Sequence, residues 1–314
     1  MDVVAVENLL KDYGAVRALD GLTMAVPAGS IFGFLGPNGA GKTTAIRILM
    51  GLLRPTDGRA TVFGRDCWRD SLRIRRRVGY LPGDLRLYAQ LTGRSTLGFL
   101  AAARGGGLER EIRRLCDRFQ MDLDRRVRSY SRGNRQKLGL IQALMHRPDL
   151  LILDEPTASL DPLIQQVLYD ELRAAAGRGA TVLFSSHTLS EVELLCEFVA
   201  IVRDGRLVES NRVQALRARA IRRVEFTVSD GQAAPPDGFQ LRARHEDCYV
   251  GAWRGPMQPL LAWMAAASLR DVIIAPPDLE ELFLSYYDRE AARPAESASQ
   301  HSPGRNENGP EAAA

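Results

Sequence analysis

The sequence predicts an α/β fold, a sheet core covered by helices, followed by a small α+β domain. Two observations predict the first part. Short β-rich runs alternate with amphipathic helical stretches through the first two-thirds of the chain. The apolar runs Leu150–Leu153 and Thr181–Phe184 are typical of strands buried on both faces of a parallel sheet. A third observation predicts the second part: the composition shifts after Arg206-Leu207-Val208, and from Arg222 the pattern restarts as a new set of strands.

The first predicted domain covers residues 1–210, and residues from about 85 to 130 form a helical subdomain within it. Turn residues separate its elements: Thr56-Asp57-Gly58 precedes a strand, and Gly105-Gly106-Gly107 interrupts a long helical stretch. In chain order the predicted elements are strands Val3–Glu7 and Gly29–Leu35, helix Thr43–Leu52, strand Arg59–Phe63, a helical stretch from Thr92 to about Gln120, strand Leu150–Leu153, helix Pro162–Ala176 and strand Thr181–Phe184.

The rest of the chain is predicted to contain a linker helix, the small domain and a tail. Residues 211–221 form the linker, residues 222–290 the α+β domain, and residues 291–314 a disordered tail that lacks aromatic side chains. The predicted elements of the small domain are strands Val224–Val228 and Phe239–Arg244, helix Leu260–Ala267, strand Val272–Ile274 and a last helix, Asp278–Tyr287, that begins with an Asp N-cap.

Composition excludes several classes of function. The 314 residues hold 42 basic and 38 acidic side chains, a net charge of +4 that is too even for a nucleic-acid-binding surface. The four cysteines lack metal-ligand spacing, which favours free thiols in a reducing cytoplasm. No stretch reaches the ~20 consecutive apolar residues of a membrane helix, and the N-terminus does not resemble a signal peptide. A membrane role would therefore require a partner.

The strongest chemical signal is a glycine-rich loop between a predicted strand and a predicted helix. Such a loop bends so that successive backbone N–H groups point at phosphate oxygens, and the helix N-terminus adds a positive dipole end. Lys42 supplies a compact charge for the β- and γ-phosphates, and the Thr43 hydroxyl can bind Mg²⁺. The predicted nucleotide-binding residues are Gly36, Pro37, Asn38, Gly39, Ala40, Gly41, Lys42, Thr43 and Thr44.

Two adjacent carboxylates follow the predicted strand Leu150–Leu153. Asp154 and Glu155 thus lie at the carboxyl end of a parallel strand, where ligands bind in α/β sheets. We expect Asp154 to hold Mg²⁺ and Glu155 to polarise the attacking water.

Further segments in a fixed order resemble the ATPase subunits of ABC transporters, over residues 3–210. The segment Ser131–Lys137 resembles the family's signature, in which Ser131, Arg132, Gly133 and Asn134 are the matching positions. Asp161 lies in a segment similar to the D-loop, His187 resembles the switch histidine, and Tyr13 is similar to the aromatic residue that stacks on adenine.

The resemblance implies a function shared between two chains. It implies that ATP and Mg²⁺ bind at the phosphate loop of one copy and that the signature of a second copy, or of a homologous ATPase subunit, covers that ATP. It further implies a separately encoded membrane permease, a location at the cytoplasmic face of the cell membrane, and no nucleic-acid partner. The variant signature, the loop at Gly83-Asp84 and the ending Asp278–Tyr287 resemble the drug- and antibiotic-exporter branch.

The sequence departs from the commonest family pattern in two segments. Tyr130, Arg132 and Asn134 differ from the usual signature, although Ser131 and Gly133 remain. In addition, Gly83 occupies the position where the family usually has a Gln or Glu near Mg²⁺, and the neighbouring Asp84 is a candidate replacement ligand.

Other functions within and beyond the family stay open at this point. An importer ATPase shares the core motifs. A soluble ABC protein that acts on ribosomes or DNA is less compatible with a single phosphate loop and a compact insert. A binding module without hydrolysis is disfavoured by Glu155 and His187. We expect the insert between Leu85 and Arg128 to transmit the nucleotide state to the permease, whose cargo this sequence does not specify.

Overall fold

The computed structural model describes residues 2–219, 222–229, 235–253 and 255–277. The chain divides into two compact units, residues 1–219 and 220–314. The predicted helix Asp278–Tyr287 and the predicted tail 291–314 lie outside the described residues. Within the described residues, no helix has both the length and the apolar character needed to cross a membrane.

The first unit contains strands and helices in alternation. Its strands are β1 (Asp2–Tyr13), β2 (Val16–Pro27), β3 (Ile31–Leu35), β4 (Asp57–Val62), β5 (Arg65–Asp66), β6 (Val78–Leu81), β7 (Leu150–Asp154), β8 (Thr181–Ser186), β9 (Phe198–Arg203) and β10 (Arg206–Arg212). Its helices are α1 (Lys42–Leu49), α2 (Ser71–Arg77), α3 (Gly93–Ala103), α4 (Glu109–Phe119), α5 (Arg132–Leu144), α6 (Pro162–Gly177), α7 (Leu189–Leu195) and α8 (Val213–Arg219), with a 3₁₀ turn at Val127–Ser129.

The central sheet has the strand order β10-β9-β3-β8-β7-β6. All its pairs are parallel except β9–β10. Every residue of β3, β7 and β8 is buried, because helices cover both faces. Leu35 pairs with Ser186, and Asp154 pairs with Ser185, so the carboxyl ends of these three strands meet at one edge of the sheet. The predicted phosphate loop and the carboxylate pair both lie at this edge.

A second, antiparallel sheet has the order β2-β1-β4-β5 and contributes to the same core. Only the first part of β1 was predicted from the sequence, and β2 was not predicted. The pairing of β1 with β2 contains several register shifts, and these bulges break the alternation of apolar and polar residues by which a strand is recognised. The sheet packs Leu22 and Val62 against Ile46 of α1.

The helical insert follows β6 and contains α3 and α4. The three glycines predicted to interrupt it do so: Gly105, Gly106 and Gly107 have φ angles of 101°, 77° and 74°, in the left-handed region that favours glycine. Leu97 of α3 and Phe119 of α4 lie in its buried interior. The insert thus consists of two short helices rather than one long helix.

An ion network ties the insert to the rest of the first unit. Arg114 of α4 donates from both terminal nitrogens to the two oxygens of Glu171 on α6, over 2.8 and 2.7 Å. Arg118 donates to the same carboxylate over 3.1 Å. Glu111 accepts from Arg114 over 2.8 Å and from Arg147, which follows α5, over 2.7 Å. Glu171 is only 4 % exposed, so the network fixes α4 against α6 and the end of α5.

Helix α8 groups with the first unit, whereas the sequence placed residues 211–221 in a linker. Residues 211 and 212 belong to β10, and the Val213 amide donates to the Glu197 carbonyl over 2.9 Å. Val213 and Leu216 are 4 % and 3 % exposed, so this helix is packed rather than free.

In its described residues, the second unit contains an antiparallel sheet and a helix. Its elements are β11 (Arg222–Val228), β12 (Phe239–His245), β13 (Cys248–Trp253), α9 (Met257–Ala266) and β14 (Leu269–Pro277), in the sheet order β12-β13-β11-β14. Phe226 lies at the centre of its core, with ring centroids 5.1 Å from Tyr249 and 4.9 Å from Trp263. Sequence analysis missed β13, whose short turn at Glu246 has a left-handed φ of 52°. The predicted fold class, α/β with a small α+β domain, is confirmed.

Candidate nucleotide-binding site

The loop between β3 and α1 is shaped by glycines. Gly39 and Gly41 have φ angles of 85° and 99°, a conformation that other residues rarely adopt. A Cβ at Gly41 would lie 2.6 Å from the Ala18 carbonyl oxygen, and one at Gly36 would collide with the Val202 carbonyl oxygen. No side chain caps the start of α1, so its first N–H groups face the loop. This backbone cradle is suited to phosphate oxygens.

Lys42, the first residue of α1, is 5 % exposed. Its Nζ donates to the carbonyl oxygens of Gly36 and Pro37, over 2.5 and 3.1 Å. Burial lowers the pKa of this amine, while the charges of Glu155 and Asp154 partly oppose the shift. The ammonium group is therefore held inside the loop by main-chain acceptors that a bound phosphate can replace.

Asp154 ends β7 and is 1 % exposed. Its Oδ2 accepts a hydrogen bond from the Thr43 hydroxyl over 2.8 Å, and its Oδ1 accepts one from the Ser185 hydroxyl over 2.6 Å. Sequence analysis did not select Ser185, although its place at the end of β8, opposite Asp154, was the available signal. A hydroxyl and a carboxylate are oxygen donors of the kind that Mg²⁺ prefers, so these residues fit the predicted metal.

Glu155 follows Asp154 in a left-handed conformation, with a φ of 49°. A non-glycine residue adopts this region at an energetic cost, which the surrounding contacts must compensate. Its amide donates to the Ser185 hydroxyl over 3.1 Å, and Gln136 donates to its carbonyl oxygen over 3.2 Å. Gln136 is a second residue that sequence analysis did not assign to the site.

The Glu155 carboxylate lies among basic groups at the mouth of the loop. Its Oε1 is 3.4 Å from Nδ1 of His187 and 4.0 Å from Nζ of Lys42. The carboxylate side chain is 31 % exposed and the His187 side chain 55 %. The structure thus brings together five of the predicted site residues, Lys42, Thr43, Asp154, Glu155 and His187, at one edge of the sheet.

The predicted signature lies at the start of α5. Ser131 is the N-cap, and its hydroxyl accepts from the Asn134 amide over 3.2 Å. A Cβ at Gly133 would lie 2.7 Å from the Ser159 carbonyl oxygen, so the signature abuts the segment that leads to Asp161. Asp161 in turn caps α6, accepting from the Ile164 amide over 3.1 Å. Ser131 and Arg132 are exposed, which leaves this helix start open to solvent.

Tyr130 replaces the leucine that is usual in the signature, and it has a structural role here. The side chain is 3 % exposed, and its hydroxyl donates to the Asp122 carbonyl oxygen over 2.6 Å. Tyr130 therefore joins the start of α5 to the segment that follows α4.

The two remaining candidates differ in their environment. Tyr13, at the end of β1, is 46 % exposed, and Nζ of Lys11 lies 5.3 Å from its ring centre. The predicted Mg²⁺ ligand Asp84 instead accepts a hydrogen bond from Arg86 over 3.0 Å, and its side chain is 65 % exposed. In this exposed loop, Arg86 is therefore the counter-charge of Asp84.

Gly83 is the residue that lies beside Asp154. A Cβ on Gly83 would be 3.1 Å from Asp154 Oδ2. In the described part of the chain, no group of three or more His, Cys, Asp or Glu side chains is placed to share a metal ion. The site therefore offers the Thr43 hydroxyl and the Asp154 carboxylate, with a glycine next to them.

Comparisons with known proteins match this geometry. Residues 19–158 match the family model described as ABC transporter. The chain is 38% identical over 235 residues to the bacitracin transport ATP-binding protein BcrA of Bacillus licheniformis, covering 74% of this chain and 77% of that protein. The chain belongs to the ABC transporter ATP-binding proteins. It is therefore an ABC ATPase, which binds and hydrolyses ATP, as the sequence predicted.

Two further comparisons support the same family. It is 39% identical over 220 residues to the daunorubicin resistance ATP-binding protein DrrA3 of Streptomyces coeruleorubidus, covering 68% of this chain and 70% of that protein. A solved structure of the ATP-binding subunit of an ABC transporter is 31% identical, with a TM-score of 0.62, over 68% of this chain and 92% of that one. The ABC ATPase fold inferred from the sequence is thereby confirmed.

Proposed function

We propose that this ABC ATPase drives the export of an antibiotic or another drug through a separately encoded permease. The observation that carries the proposal is its 38% and 39% identity to ATP-binding proteins named for bacitracin transport and daunorubicin resistance. The signature variants resemble those of the drug- and antibiotic-exporter branch, which also supports export. The protein would act at the cytoplasmic face of the cell membrane, held there by the permease.

The phosphate loop, from Gly36 to Thr44, would hold the phosphates of ATP, and the exposed ring of Tyr13 would stack on adenine. The glycine cradle supports this role, since any side chain at Gly36 or Gly41 would collide with main-chain oxygens. Lys42 would exchange its carbonyl acceptors for the β- and γ-phosphate oxygens. The residues of the phosphate loop are Gly36, Pro37, Asn38, Gly39, Ala40, Gly41, Lys42, Thr43 and Thr44.

Thr43 and Asp154 would hold Mg²⁺. When bound, the ion would neutralise charge on the phosphates. The Ser185 hydroxyl, which donates to Oδ1 of Asp154, would keep that carboxylate turned toward Thr43. Because Gly83 contributes no side chain, water would complete the oxygen ligands on that side.

Glu155 would act as the base in hydrolysis. Its carboxylate accepts a proton from the attacking water as the water oxygen bonds to the γ-phosphorus, and the bond from that phosphorus to the ADP oxygen breaks. The left-handed backbone of Glu155 and the hydrogen bonds of its main chain to Ser185 and Gln136 aim the carboxylate. His187, 3.4 Å away, would orient it and contact the γ-phosphate.

A second copy, or a homologous ATPase subunit, would complete the site. Ser131 and the start of α5 are exposed in the single chain, and a helix N-terminus attracts anions. Ser131, Arg132, Gly133 and Asn134 would thus cover the ATP of the partner, with Asp161 at the same interface. ATP bound by both copies would favour the closed dimer, and hydrolysis would release it.

The helical insert would pass this closure to the permease. The insert and the loop before it expose three large apolar side chains, Tyr88 at 72 %, Phe99 at 66 % and Leu91 at 38 %. The Arg114–Glu171 pair joins α4 to α6, the helix capped by Asp161. Movement at the dimer interface would therefore reach the insert through a rigid connection.

The catalytic proposal is tested with Glu155→Gln in the full chain. Removal of the base should slow hydrolysis by roughly 10²–10⁴ while ATP binding is retained, so sizing chromatography with ATP and Mg²⁺ should show a dimer. Glu109→Gln, at an exposed position of α4, is the matched control and should behave like the wild type. A Glu155→Gln protein that hydrolyses ATP at the wild-type rate would exclude this base, and one that stays monomeric would contradict the dimer.

The direction of transport needs a separate measurement. The membrane protein that co-purifies in mild detergent is expressed with the wild-type ATPase or with Glu155→Gln, and cellular bacitracin and daunorubicin are measured. If the complex exports these drugs, cells with the wild-type ATPase should contain less drug than cells with Glu155→Gln. Higher content with the wild type would indicate import and leave the ATPase assignment intact.

A further inference from the structure

Two adjacent serines end β8, next to the two groups proposed to act on the attacking water. Ser185 and Ser186 are both buried. Side chains alternate along a strand, so the two hydroxyls project to opposite faces of the sheet. Ser185 contacts Asp154 and the Glu155 amide. Ser186 therefore serves a separate set of contacts on the other face.

The Ser186 hydroxyl closes the turn that carries His187. It accepts a hydrogen bond from the Thr188 amide over 2.8 Å and donates one to Oε2 of Glu191 over 2.6 Å. The Thr188 carbonyl oxygen lies 3.2 Å from the same hydroxyl. A hydroxyl has a single proton and a carboxylate is the stronger acceptor, so the bond to Glu191 prevails. Glu191 thereby orients the hydroxyl that fixes the backbone on both sides of His187.

The main chain of Ser186 is joined to the phosphate loop. Ser186 pairs with Leu35, the last residue of β3, and its carbonyl oxygen accepts from the Gly36 amide over 3.4 Å. The main chain of Ser186 is thus held by the start of the loop, and its side chain is held by Glu191. Together these contacts set the position of the His187 backbone relative to the loop.

Glu191 lies in the first turn of α7, partly buried and without a counter-charge. In the part of the chain that the structure describes, no basic side chain lies within ion-pair distance of its carboxylate. Burial and the charge of Glu191 raise the pKa of the neighbouring Tyr169 to about 12, so that side chain is neutral as well. A carboxylate withdrawn from water is ordinarily paired with a cation. Glu191 instead spends its short contact on Ser186, the residue that leads to His187.

We propose that Glu191 is a positioning residue for ATP hydrolysis: through the Ser186 hydroxyl, it fixes the turn that places His187 beside Glu155. The inference rests on the proposed function, in which His187 orients the Glu155 carboxylate and contacts the γ-phosphate. The His187 side chain is exposed, so its surroundings do not confine it. The position of its backbone decides whether Nδ1 stays 3.4 Å from Glu155.

The first test compares turnover with ATP binding in the full chain. Glu191→Ala should lower kcat by roughly 10–100-fold, the effect of misplacing a group that acts on the reacting atoms. ATP affinity, measured by isothermal titration, should not change, because the phosphate loop keeps its own contacts. Glu197→Ala removes the same charge at an exposed position directly after α7 and should match the wild type. A normal kcat in Glu191→Ala, or an equal loss in Glu197→Ala, would overturn the proposal.

Two further variants test whether the hydrogen bond carries the effect. Glu191→Gln keeps an oxygen that can accept from Ser186 and should recover most of the wild-type kcat. Ser186→Ala removes the donor and should lower kcat as Glu191→Ala does. The double variant Ser186→Ala/Glu191→Ala should be no slower than the slower single variant, because both changes break one bond. Losses that multiply, or a Glu191→Gln protein as slow as Glu191→Ala, would refute a role through this bond.

The position of His187 is read directly from its ring signal in nuclear magnetic resonance. The chain contains four histidines, and the His187 signal is the one that disappears in His187→Ala. Glu191→Ala and Ser186→Ala should shift and broaden this signal while the other histidine signals stay in place, and Glu197→Ala should leave all of them unchanged. An unchanged His187 signal in Glu191→Ala would contradict the positioning role even if kcat fell.

The variant His187→Ala separates this inference from the proposed function. It should slow hydrolysis at least as much as Glu191→Ala, and adding Glu191→Ala to it should cause no further loss. A slow His187→Ala protein together with a normal Glu191→Ala protein would refute the positioning by Glu191 and leave the proposed function intact. A wild-type rate in His187→Ala would contradict the proposed role of His187 and, with it, any action of Glu191 through that residue.

Discussion

The two halves of the predicted ATP site differ in how the single chain holds them. The phosphate-loop half is buried and internally bonded: Lys42 is 5 % and Asp154 1 % exposed, and their hydrogen bonds stay within the half. The signature half, Ser131 and Arg132, faces solvent at the start of α5. A polar group is costly to bury without a partner but not to expose. The difference indicates that the first half is pre-formed and that the second is presented to another molecule.

The comparison predicts different consequences for substitutions in each half. Changes in the buried half should affect ATP binding by one copy alone. Changes in the exposed half should leave that binding intact and affect only the step that requires two copies. Four substitutions, from the largest expected effect to the smallest, test this division.

Lys42→Ala should lower ATP affinity by roughly 10²–10³, since it removes the buried charge aimed at the phosphates. Isothermal titration with ATP and Mg²⁺ measures the effect in the single chain. Arg47→Ala, at an exposed position of the same helix, is the control and should bind normally. Unchanged affinity in Lys42→Ala would contradict the phosphate-loop assignment.

Glu171→Gln should destabilise the first unit by about 3 kcal/mol, because it leaves Arg114 and Arg118 without their shared carboxylate. Burial raises the pKa of Glu171, but the hydrogen bonds and charges of Arg114 and Arg118 outweigh burial, so the net pKa lies below the ordinary value of 4.5. The stabilisation is therefore present above about pH 4.5 and lost as the pH falls through the lowered pKa.

Thermal melts from pH 7 down to acid measure this effect. The gap between wild type and Glu171→Gln should shrink as the pH falls, and Asp170→Asn, an exposed neighbour with longer ion pairs of 3.6 Å, should melt like the wild type. If the difference in melting temperature between wild type and Glu171→Gln did not change with pH, the charge of Glu171 would not be what stabilises the network. The network would then not support α5, the helix that begins with the signature, through its charge.

Ser131→Ala should lower steady-state ATPase activity by roughly 10–100-fold, the effect of one hydrogen bond to a charged group, and leave ATP affinity of the single chain unchanged. Ser129→Ala removes a hydroxyl two residues away that bonds only to the Arg126 carbonyl oxygen and serves as the control. Loss of ATP affinity in Ser131→Ala would place this residue in the site of its own chain and remove the distinction between the halves.

Gly83→Gln should change activity least, by a few-fold. The φ angle of Gly83 lies outside the left-handed region, so the backbone tolerates a side chain there. The side-chain amide oxygen of the introduced Gln would add an oxygen donor beside Asp154. The Mg²⁺ concentration for half-maximal ATPase activity should fall. An unchanged Mg²⁺ dependence would indicate that the Gly83 position is unconnected with the metal.

Much of this molecule was predictable because its chemistry is local in the sequence. The phosphate loop directly follows β3, and Asp154-Glu155 lie at the end of β7. The apolar character of both runs identified them as strands. Ser185 and Gln136 were missed, since they act through contacts between segments about 30 and 19 residues apart. Asp84, predicted as an Mg²⁺ ligand from its place beside Gly83, pairs with Arg86 in an exposed loop, and its role at the metal stays a prediction.

The scarcity of lysine gives the buried amine an experimental use. The chain contains only three lysines, Lys11, Lys42 and Lys137. Lys42 is enclosed by the loop, and burial lowers the pKa of its amine. An amine-acylating reagent would thus distinguish the three positions by rate, with each product resolved by peptide mass. Slower acylation of Lys42 when ATP is added would report occupancy of the loop without any substitution in the protein.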